Sequence, residues 1–145
     1  MLRIMLMNNT LLGLIWNTSR AVQNRAQNTV GQVSSELNAE QTLMLMLLKE
    51  EDGLRPIDIS ERLMRSKSSV TSIIKTAQRH GLVATRPHPQ KGNSKCVHLT
   101  KKGVMVCESA GNNIQSLLSE VPEGLTEKEV ETCRKVLQVT LNCYR

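Results

Sequence analysis

Residues 66–100 read SKSSVTSIIKTAQRHGLVATRPHPQKGNSKCVHLT, and the hydrophobic period of this stretch changes once, at Gly81. Before Gly81, apolar residues recur at i, i+3, i+4 and i+7, which is the spacing of one face of a helix. They are Val70, Ile73, Ile74 and Ala77. After Gly81, the runs 82–86 and 95–99 have the composition of two strands, and the Pro- and Gly-containing residues 87–94 form a turn between them. The stretch therefore predicts a helix over 67–80 followed by a β-hairpin.

A shorter helix is predicted immediately before this one. Pro56 suits a first helical position, where its missing N–H costs nothing. Ser66 is a suitable N-cap for the next helix, so only about three residues join the two helices. Two short helices joined in this way make a helix-turn-helix, and a hairpin behind them makes a wing. We predict a mainly α fold with a small β-hairpin wing, the winged helix-turn-helix itself covering 55–102 within a lobe at 38–103.

The flanking segments are predicted to be long helices. An apolar stripe steps by three and four residues through Leu11, Ile15, Thr18, Val22, Ala26, Thr29 and Val33. A core helix is expected to begin at Asn38, which forms a capping box with Gln41, and another helix at Thr100. The Thr100 helix is expected to bury one face, consisting of Val104, Cys107, Ala110, Ile114, Leu117 and Leu118. A last helix begins at the capping box of Thr126 and Glu129 and carries an apolar row at heptad spacing.

The outer helices lack an obvious full partner within one small lobe. We therefore predict a single domain over 1–145, in which 11–35 and 104–145 are dimerisation helices. The expected dimer contacts are Leu11, Ile15, Val22, Val130, Leu137, Leu141 and Tyr144.

The charge distribution points to a polyanionic partner. The chain has 145 residues and a formal net charge of +6. Eleven Lys or Arg and two acids lie within 55–102, and no acid occurs from 62 to 107. A basic centre between acidic flanks is the electrostatic footprint of a nucleic-acid-binding face, although an unevenly charged solvated surface would look similar. Because aromatic side chains are nearly absent, duplex DNA is a better candidate than unpaired bases stacked on rings.

The helix at 67–80 has the composition of a major-groove reader. Opposite its apolar face lie Ser68, Ser72, Lys75 and Arg79. Small hydroxyl side chains can approach base edges closely, whereas the cations suit phosphates near the groove wall. The alternative is a helix that docks a protein partner, which should show apolar anchors on this face. An ordinary solvated amphipathic helix would also fit the pattern alone.

The order of these motifs resembles the MarR family of bacterial regulators. The succession is Asn38-Ala39-Glu40-Gln41, the two short helices, Gly81-Leu82-Val83, Arg86-Pro87 and Val97-His98-Leu99-Thr100-Lys101-Lys102-Gly103. The resemblance implies a sequence-specific regulator of transcription, a repressor that binds a pseudo-palindromic duplex operator as a homodimer. Position by position, it implies base contacts by Lys67, Ser68, Ser69, Thr71 and Ser72. Lys75 would approach the DNA backbone, and Arg86 would lie at the base of the wing.

Two departures from the family pattern affect this interpretation. The wing commonly carries Asp-x-Arg, but the matching stretch here is Lys91-Gly92-Asn93, so wing contact is expected to depend on Lys91 and Lys95. At the bend between the two short helices, Met64 and Arg65 replace the usual Gly and aliphatic residue, which predicts an unusual turn.

Other chemistries are less well supported by the sequence. Four cysteines show no CxxC spacing, and no secretory signal precedes them, so we expect a reduced, cytoplasmic protein with no membrane contact. Cys143 is the best candidate for a thiol switch, and His88, Cys96 and His98 could be drawn as a metal site. These variants of the regulator remain alternatives. No catalytic constellation, cofactor or metal is predicted, and with only Trp16 and Tyr144 as aromatic residues no phenolic effector is predicted.

Overall fold

A computed structural model describes residues 7–145; the first six residues, which include most of the Met-rich start of the chain, lie outside the described part. The elements in chain order are α1 (Leu11–Gly31), α2 (Ala39–Glu50), α3 (Pro56–Leu63), α4 (Lys67–Arg79), β1 (Val83–Pro87), β2 (Lys95–Leu99), α5 (Lys101–Leu118) and α6 (Glu127–Tyr144). The predicted fold class, mainly helical with one β-hairpin, is confirmed.

The helices begin where the sequence places their caps. Asn38 and Gln41 form a reciprocal capping box at the start of α2, and Thr126 and Glu129 form another at the start of α6. The Ser66 hydroxyl caps α4, and the Thr100 hydroxyl caps α5 by accepting the Gly103 N–H at 3.0 Å. Each cap satisfies backbone donors that the first helical turn leaves without partners.

The hydrophobic core is centred on α2, against which α3, α4 and α5 pack. Met44, Leu45 and Leu48 of α2 are fully buried, and α5 covers them with Ile114. The α3–α4 pair adds Ile59, Val70, Ile74 and Ala77 to the same cluster. Burying side chains of this size contributes roughly 1.5–3 kcal/mol each, so α2 is the main stabilising element of the lobe.

The wing is an antiparallel hairpin in which Val83 pairs with Leu99 and Pro87 with Lys95. Strand β1 is shifted by one residue from the predicted 82–86. The shift arises because the Leu82 N–H donates to Ala77 O at 2.9 Å, which keeps Leu82 in the turn that closes α4. Pro87 can end the strand because a proline at a strand end need not donate to the ladder.

Two predicted helix faces need correction. Helix α1 ends at Gly31, so Val33 lies beyond the helix that was expected to include it. In α5, Cys107, Ala110 and Ile114 are buried as expected, but Val104 and Leu118 are exposed. Glycines complete the buried face instead, at Gly103 and Gly111.

Met64 makes the turn between α3 and α4. Its φ of 51° and ψ of 46° place it in the left-handed region, where the sequence has no glycine to relieve the contact between Cβ and the backbone. Its side chain is 56% exposed and therefore contributes little to the core. The unusual turn that Met64 and Arg65 predict is confirmed.

Gly103 is a point of close backbone approach. A Cβ at this position would lie 2.0 Å from the carbonyl oxygen of Leu82. The first turn of α5 therefore lies directly on the start of the wing, and only glycine allows this contact.

Helix α6 has no buried residue, although Val130 and Thr140 are partly covered. An apolar groove of about 780 Å³ runs between α1 and α6 and is lined by Leu11, Leu14, Ile15, Val136 and Leu137 among others. Among residues 7–145, none of the helices has the length and apolar character needed to cross a bilayer.

Replacing Met64 by glycine should stabilise the protein. Relief of the left-handed conformation is worth about 1–2 kcal/mol, and the greater freedom of glycine in the unfolded chain offsets roughly half of that. Urea unfolding should therefore show a gain of up to about 1 kcal/mol. Gln115→Gly, at an exposed interior position of α5, is the control and should lose about 1 kcal/mol. A loss of stability in Met64→Gly as large as in the control would contradict the left-handed turn.

A matched pair of glycine substitutions tests the contact between α5 and the wing. Gly103→Ala should cost several times the roughly 1 kcal/mol of an ordinary core change, because the new methyl group meets backbone rather than a movable side chain. Gly31→Ala meets no atom within 4 Å and should be neutral or stabilising. Thermal unfolding of both variants measures the difference, and equal midpoints would contradict the close approach.

Candidate nucleic-acid interface

The two faces of helix α4 differ as the sequence predicts, one being apolar and buried and the other polar and exposed. Val70, Ile74 and Ala77 are buried and Ile73 is half-buried, which fixes the helix against α2 and α3. The outward positions are exposed and consist of Lys67, Ser68, Thr71, Ser72, Lys75, Gln78 and Arg79. Among them are three cations and no acid, so the outer surface of α4 is polar and positive along its length.

The hydroxyl groups at the start of α4 are not equivalent. The Ser66 hydroxyl donates to Ser69 Oγ at 2.8 Å, accepts the Ser69 N–H at 3.2 Å and lies 3.1 Å from Ser68 Oγ. The Thr71 hydroxyl donates to the Lys67 carbonyl at 2.9 Å. Ser72 makes no such contact within the described residues, so its hydroxyl is free both to donate and to accept. Of the residues expected to read bases, Ser69 and Thr71 are thus partly committed to the protein itself.

The basic residues fall into two groups. Arg55, Arg62 and Arg65 pair with Asp58, Glu51 and Glu40, respectively, at 2.8, 2.6 and 3.3 Å. The second group makes no salt bridge within residues 7–145 and includes Lys67, Lys75, Arg79, Arg86, Lys91 and Lys95. These are the cations that the sequence assigned to DNA, and they lie on α4 and on the hairpin. Pairing of the first group with acids leaves unpaired positive charge on these two elements and on Lys101 and Lys102 at the start of α5.

The tip of the wing is built around His88. The Nδ1 atom of His88 accepts the backbone N–H groups of Gln90 and Lys91 at 3.0 and 3.1 Å, and the backbone N–H of His88 donates to Ser94 O at 2.7 Å. This network closes the loop that carries Lys91, and both Lys91 and Lys95 are exposed. The sequence suggested His88 only as a metal ligand, and a role in shaping the loop was missed.

The base of the wing is held by Asp52, in the link between α2 and α3. Burial of this carboxyl group raises its pKa, but hydrogen bonds from the Leu99 N–H and the His98 ring outweigh that effect, and the pKa is lowered. The contacts therefore stabilise the fold at neutral pH, and this contribution is lost as the pH falls through the lowered pKa. Asp52 was also missed, because nothing in the sequence connects it to a strand 46 residues away.

The residues considered for a thiol switch or a metal site are not gathered into one site. Cys96 and Cys107 are buried, and burial raises the pKa of the Cys107 thiol, an effect that nearby Lys49 opposes only in part. Cys133 and Cys143 are exposed on α6. Of the three residues considered for a metal, His88 accepts two backbone N–H groups, Cys96 is buried and His98 contacts Asp52 at 3.0 Å. Residues 7–145 contain no cluster of three or more His, Cys, Asp or Glu placed to hold a metal.

The residues expected at a dimer interface remain accessible. Leu11, Val22, Leu137, Leu141 and Tyr144 are exposed, and Ile15 and Val130 are half-buried. All of them lie on α1 or α6, and four of the seven lie on α6, which buries none of its side chains.

A helix-turn-helix whose second helix presents a polar, cationic face, followed by an antiparallel hairpin with free lysines, defines a winged helix-turn-helix protein. Residues 37–92 match the MarR family. The HTH-type transcriptional repressor IacR of Pseudomonas putida is 26% identical over 107 residues, which is 74% of this chain. The matched stretch spans 64% of that repressor.

Solved structures show the same fold. MepR from S. aureus, in a complex with DNA, superimposes with a TM-score of 0.82 at 22% identity, over 94% of this chain and 98% of MepR. PcaV from Streptomyces coelicolor, in complex with its natural ligand, gives a TM-score of 0.78 at 19% identity, over 96% of both chains. The likeness extends beyond 37–92 and includes the outer helices.

Proposed function

We propose that this protein binds duplex DNA in a sequence-specific manner and regulates transcription, acting as a repressor on a pseudo-palindromic operator. The observation that carries the proposal is the outer surface of α4, where three cations without acidic partners flank a free Ser72 hydroxyl on a helix fixed by its buried face. Such a helix can enter the major groove, and its serine can contact base edges while its cations contact phosphates. The repressor role is supported by the likeness to IacR.

A protein-docking role for the same surface has less support. Binding hot spots between proteins are enriched in aromatic side chains and arginine, packed in desolvated pockets. The outward residues of α4 are two serines, one threonine, two lysines, one glutamine and one arginine, none of them apolar or aromatic. Their chemistry is complementary to phosphate and base edges rather than to an apolar pocket.

We further propose that the protein acts as a homodimer formed by α1 and α6. The apolar side chains of both helices line one groove, and exposed leucines and valines continue along α6. A second copy of the chain offers the same two helices, so a twofold arrangement can cover both grooves with one repeated contact. Two α4 helices would then face half-sites about one helical turn of DNA apart.

Binding to selected sequences from a random duplex library tests the DNA-binding proposal. Affinity should fall steeply with salt, and Lys75→Ala should weaken all sequences alike and reduce the salt slope by about one. Ser72→Ala should instead change the preferred base at one position in each half-site, because it removes a donor and acceptor without changing charge. Ser109→Ala, on the exposed surface of α5, is the matched control and should change neither. Salt-independent binding, or an unchanged preference in Ser72→Ala, would contradict these roles.

Sedimentation of two charge-matched variants tests the dimer. Leu137→Glu places a carboxylate in the proposed interface and should shift the protein towards monomer, because an unpaired charge is costly to bury. Gln138→Glu adds the same charge one residue away, outside the groove lining, and should leave the dimer intact. Since Leu137 is 43% exposed in the single chain, its replacement should not unfold the lobe. A wild-type monomer at micromolar concentration, or equal behaviour of the two variants, would overturn the assignment.

A further inference from the structure

The wing of this protein is anchored at its base. Asp52 Oδ1 accepts the Leu99 N–H at 2.9 Å, and Asp52 Oδ2 lies 3.0 Å from His98 Nδ1. One carboxylate thus holds two consecutive residues at the end of β2, next to the start of α5. The other end of β2 leads to Lys95 and to the loop that carries Lys91.

Backbone contacts extend this attachment. The Gly53 N–H donates to Val97 O at 3.0 Å, and the Val97 N–H donates to Leu54 O at 2.8 Å, so the link meets β2 at a single antiparallel bridge between Leu54 and Val97. Gly53 has a φ of +77°, and a Cβ there would lie 2.9 Å from His98 Cε1. The glycine thus lets the link between α2 and α3 lie directly against the His98 ring that Asp52 contacts.

Strand β1 has an attachment of its own. Gln78 Nε2 of α4 donates to Thr85 Oγ1 at 3.2 Å, and Thr85 is paired with Val97 across the hairpin. The hairpin is therefore held to the link through β2 and to the recognition helix through β1. The loop beyond Pro87 and Lys95 is closed by its own hydrogen bonds.

We propose that Asp52 is a positioning residue for duplex binding, because it fixes the end of β2 and so sets the direction in which the hairpin carries Lys91 and Lys95 to the DNA. This inference rests on the proposed DNA-binding function. Asp52 itself does not touch DNA in this arrangement. It acts through His98 and Leu99, at the opposite end of β2 from the lysines.

The sign of the expected effect separates positioning from electrostatics. Asp52 is an acid on a lobe that binds a polyanion, so its removal should strengthen binding if charge alone matters. If Asp52 orients the wing, its removal should weaken binding, because two phosphate contacts become less well directed. The two explanations therefore predict changes in opposite directions.

The experiment measures the affinity of the full-length protein for one selected duplex as a function of salt. Asp52→Ala should weaken binding about three- to tenfold and lower the magnitude of the salt slope by about one, as expected when a phosphate contact is lost. Asp52→Asn should lie between wild type and alanine, because its amide oxygen can still accept the Leu99 N–H. Glu50→Ala removes the same charge two residues away and should bind as tightly as wild type or slightly more tightly. Unfolding midpoints of all variants establish that each is folded at the assay temperature.

A double-mutant cycle distinguishes loss of wing positioning from a general loss of stability, because a general loss would weaken binding equally in every background. In a Lys91→Ala/Lys95→Ala background, Asp52→Ala should have no further effect, because the contacts that it directs are gone. In a Lys75→Ala background its effect should persist in full, because Lys75 lies on α4. An equal effect in both backgrounds, or tight binding by Asp52→Ala with an unchanged salt slope, would overturn the inference while leaving DNA binding intact. Failure of the wild type to bind any duplex would instead overturn the proposed function, and the inference with it.

Discussion

The backbone of Leu82 is the point on which the arrangement of this protein depends. Its N–H closes α4 on Ala77 O, and its carbonyl accepts the Thr100 N–H at 3.1 Å. Thr100 also donates its hydroxyl hydrogen to Gly81 O at 2.6 Å, and the missing side chain of Gly103 lets α5 lie against the Leu82 carbonyl. Three elements with different tasks, the recognition helix, the wing and a long outer helix, therefore share one rigid junction. A change in the direction of α5 cannot occur there without moving the wing or the end of α4.

The features that the sequence predicted are those fixed by local chemistry. Helix starts at Asn38, Ser66 and Thr126 depend on side chains within three residues of the cap, so their prediction required no knowledge of the tertiary fold. The two faces of α4 follow from its apolar spacing in the same way. The face of α5 was partly mispredicted because Gly103 and Gly111 carry no apolar side chain to mark their positions as buried. Their burial is a property of the neighbouring backbone and side chains, which a hydrophobic pattern does not record.

In the candidate interface, too, the features fixed by nearby residues could be predicted and the contacts between distant residues could not. The free cations on α4 and the wing could be named from the absence of acids in the stretch 62–107. The contacts that orient them could not, because Asp52 and His98 are far apart in the chain and Gln78 reaches a different element. An isolated two-stranded hairpin is at best marginally stable in water, so a wing needs attachments of this kind to present a fixed surface. Here the attachments lie at the base of the wing. At the tip, the MarR family commonly has Asp and Arg, whereas this chain has only lysine charge and a loop closed by His88.

The 18 residues of helix α6 bury no side chain, so this helix receives little stabilisation from packing within the single chain. A capping box, together with two acids in its first turn, favours its N-terminal end by complementing the helix dipole. Capping and helix-dipole interactions contribute about 0.3–2 kcal/mol each to helix stability. An isolated helix of this length is only marginally stable in water. The apolar row of α6 lines the groove beside α1 and is largely exposed in the single chain, and in the proposed dimer this row would be buried. In the proposed dimer, association of the two chains would therefore stabilise α6, and the spacing of the two recognition helices would depend on the same contact.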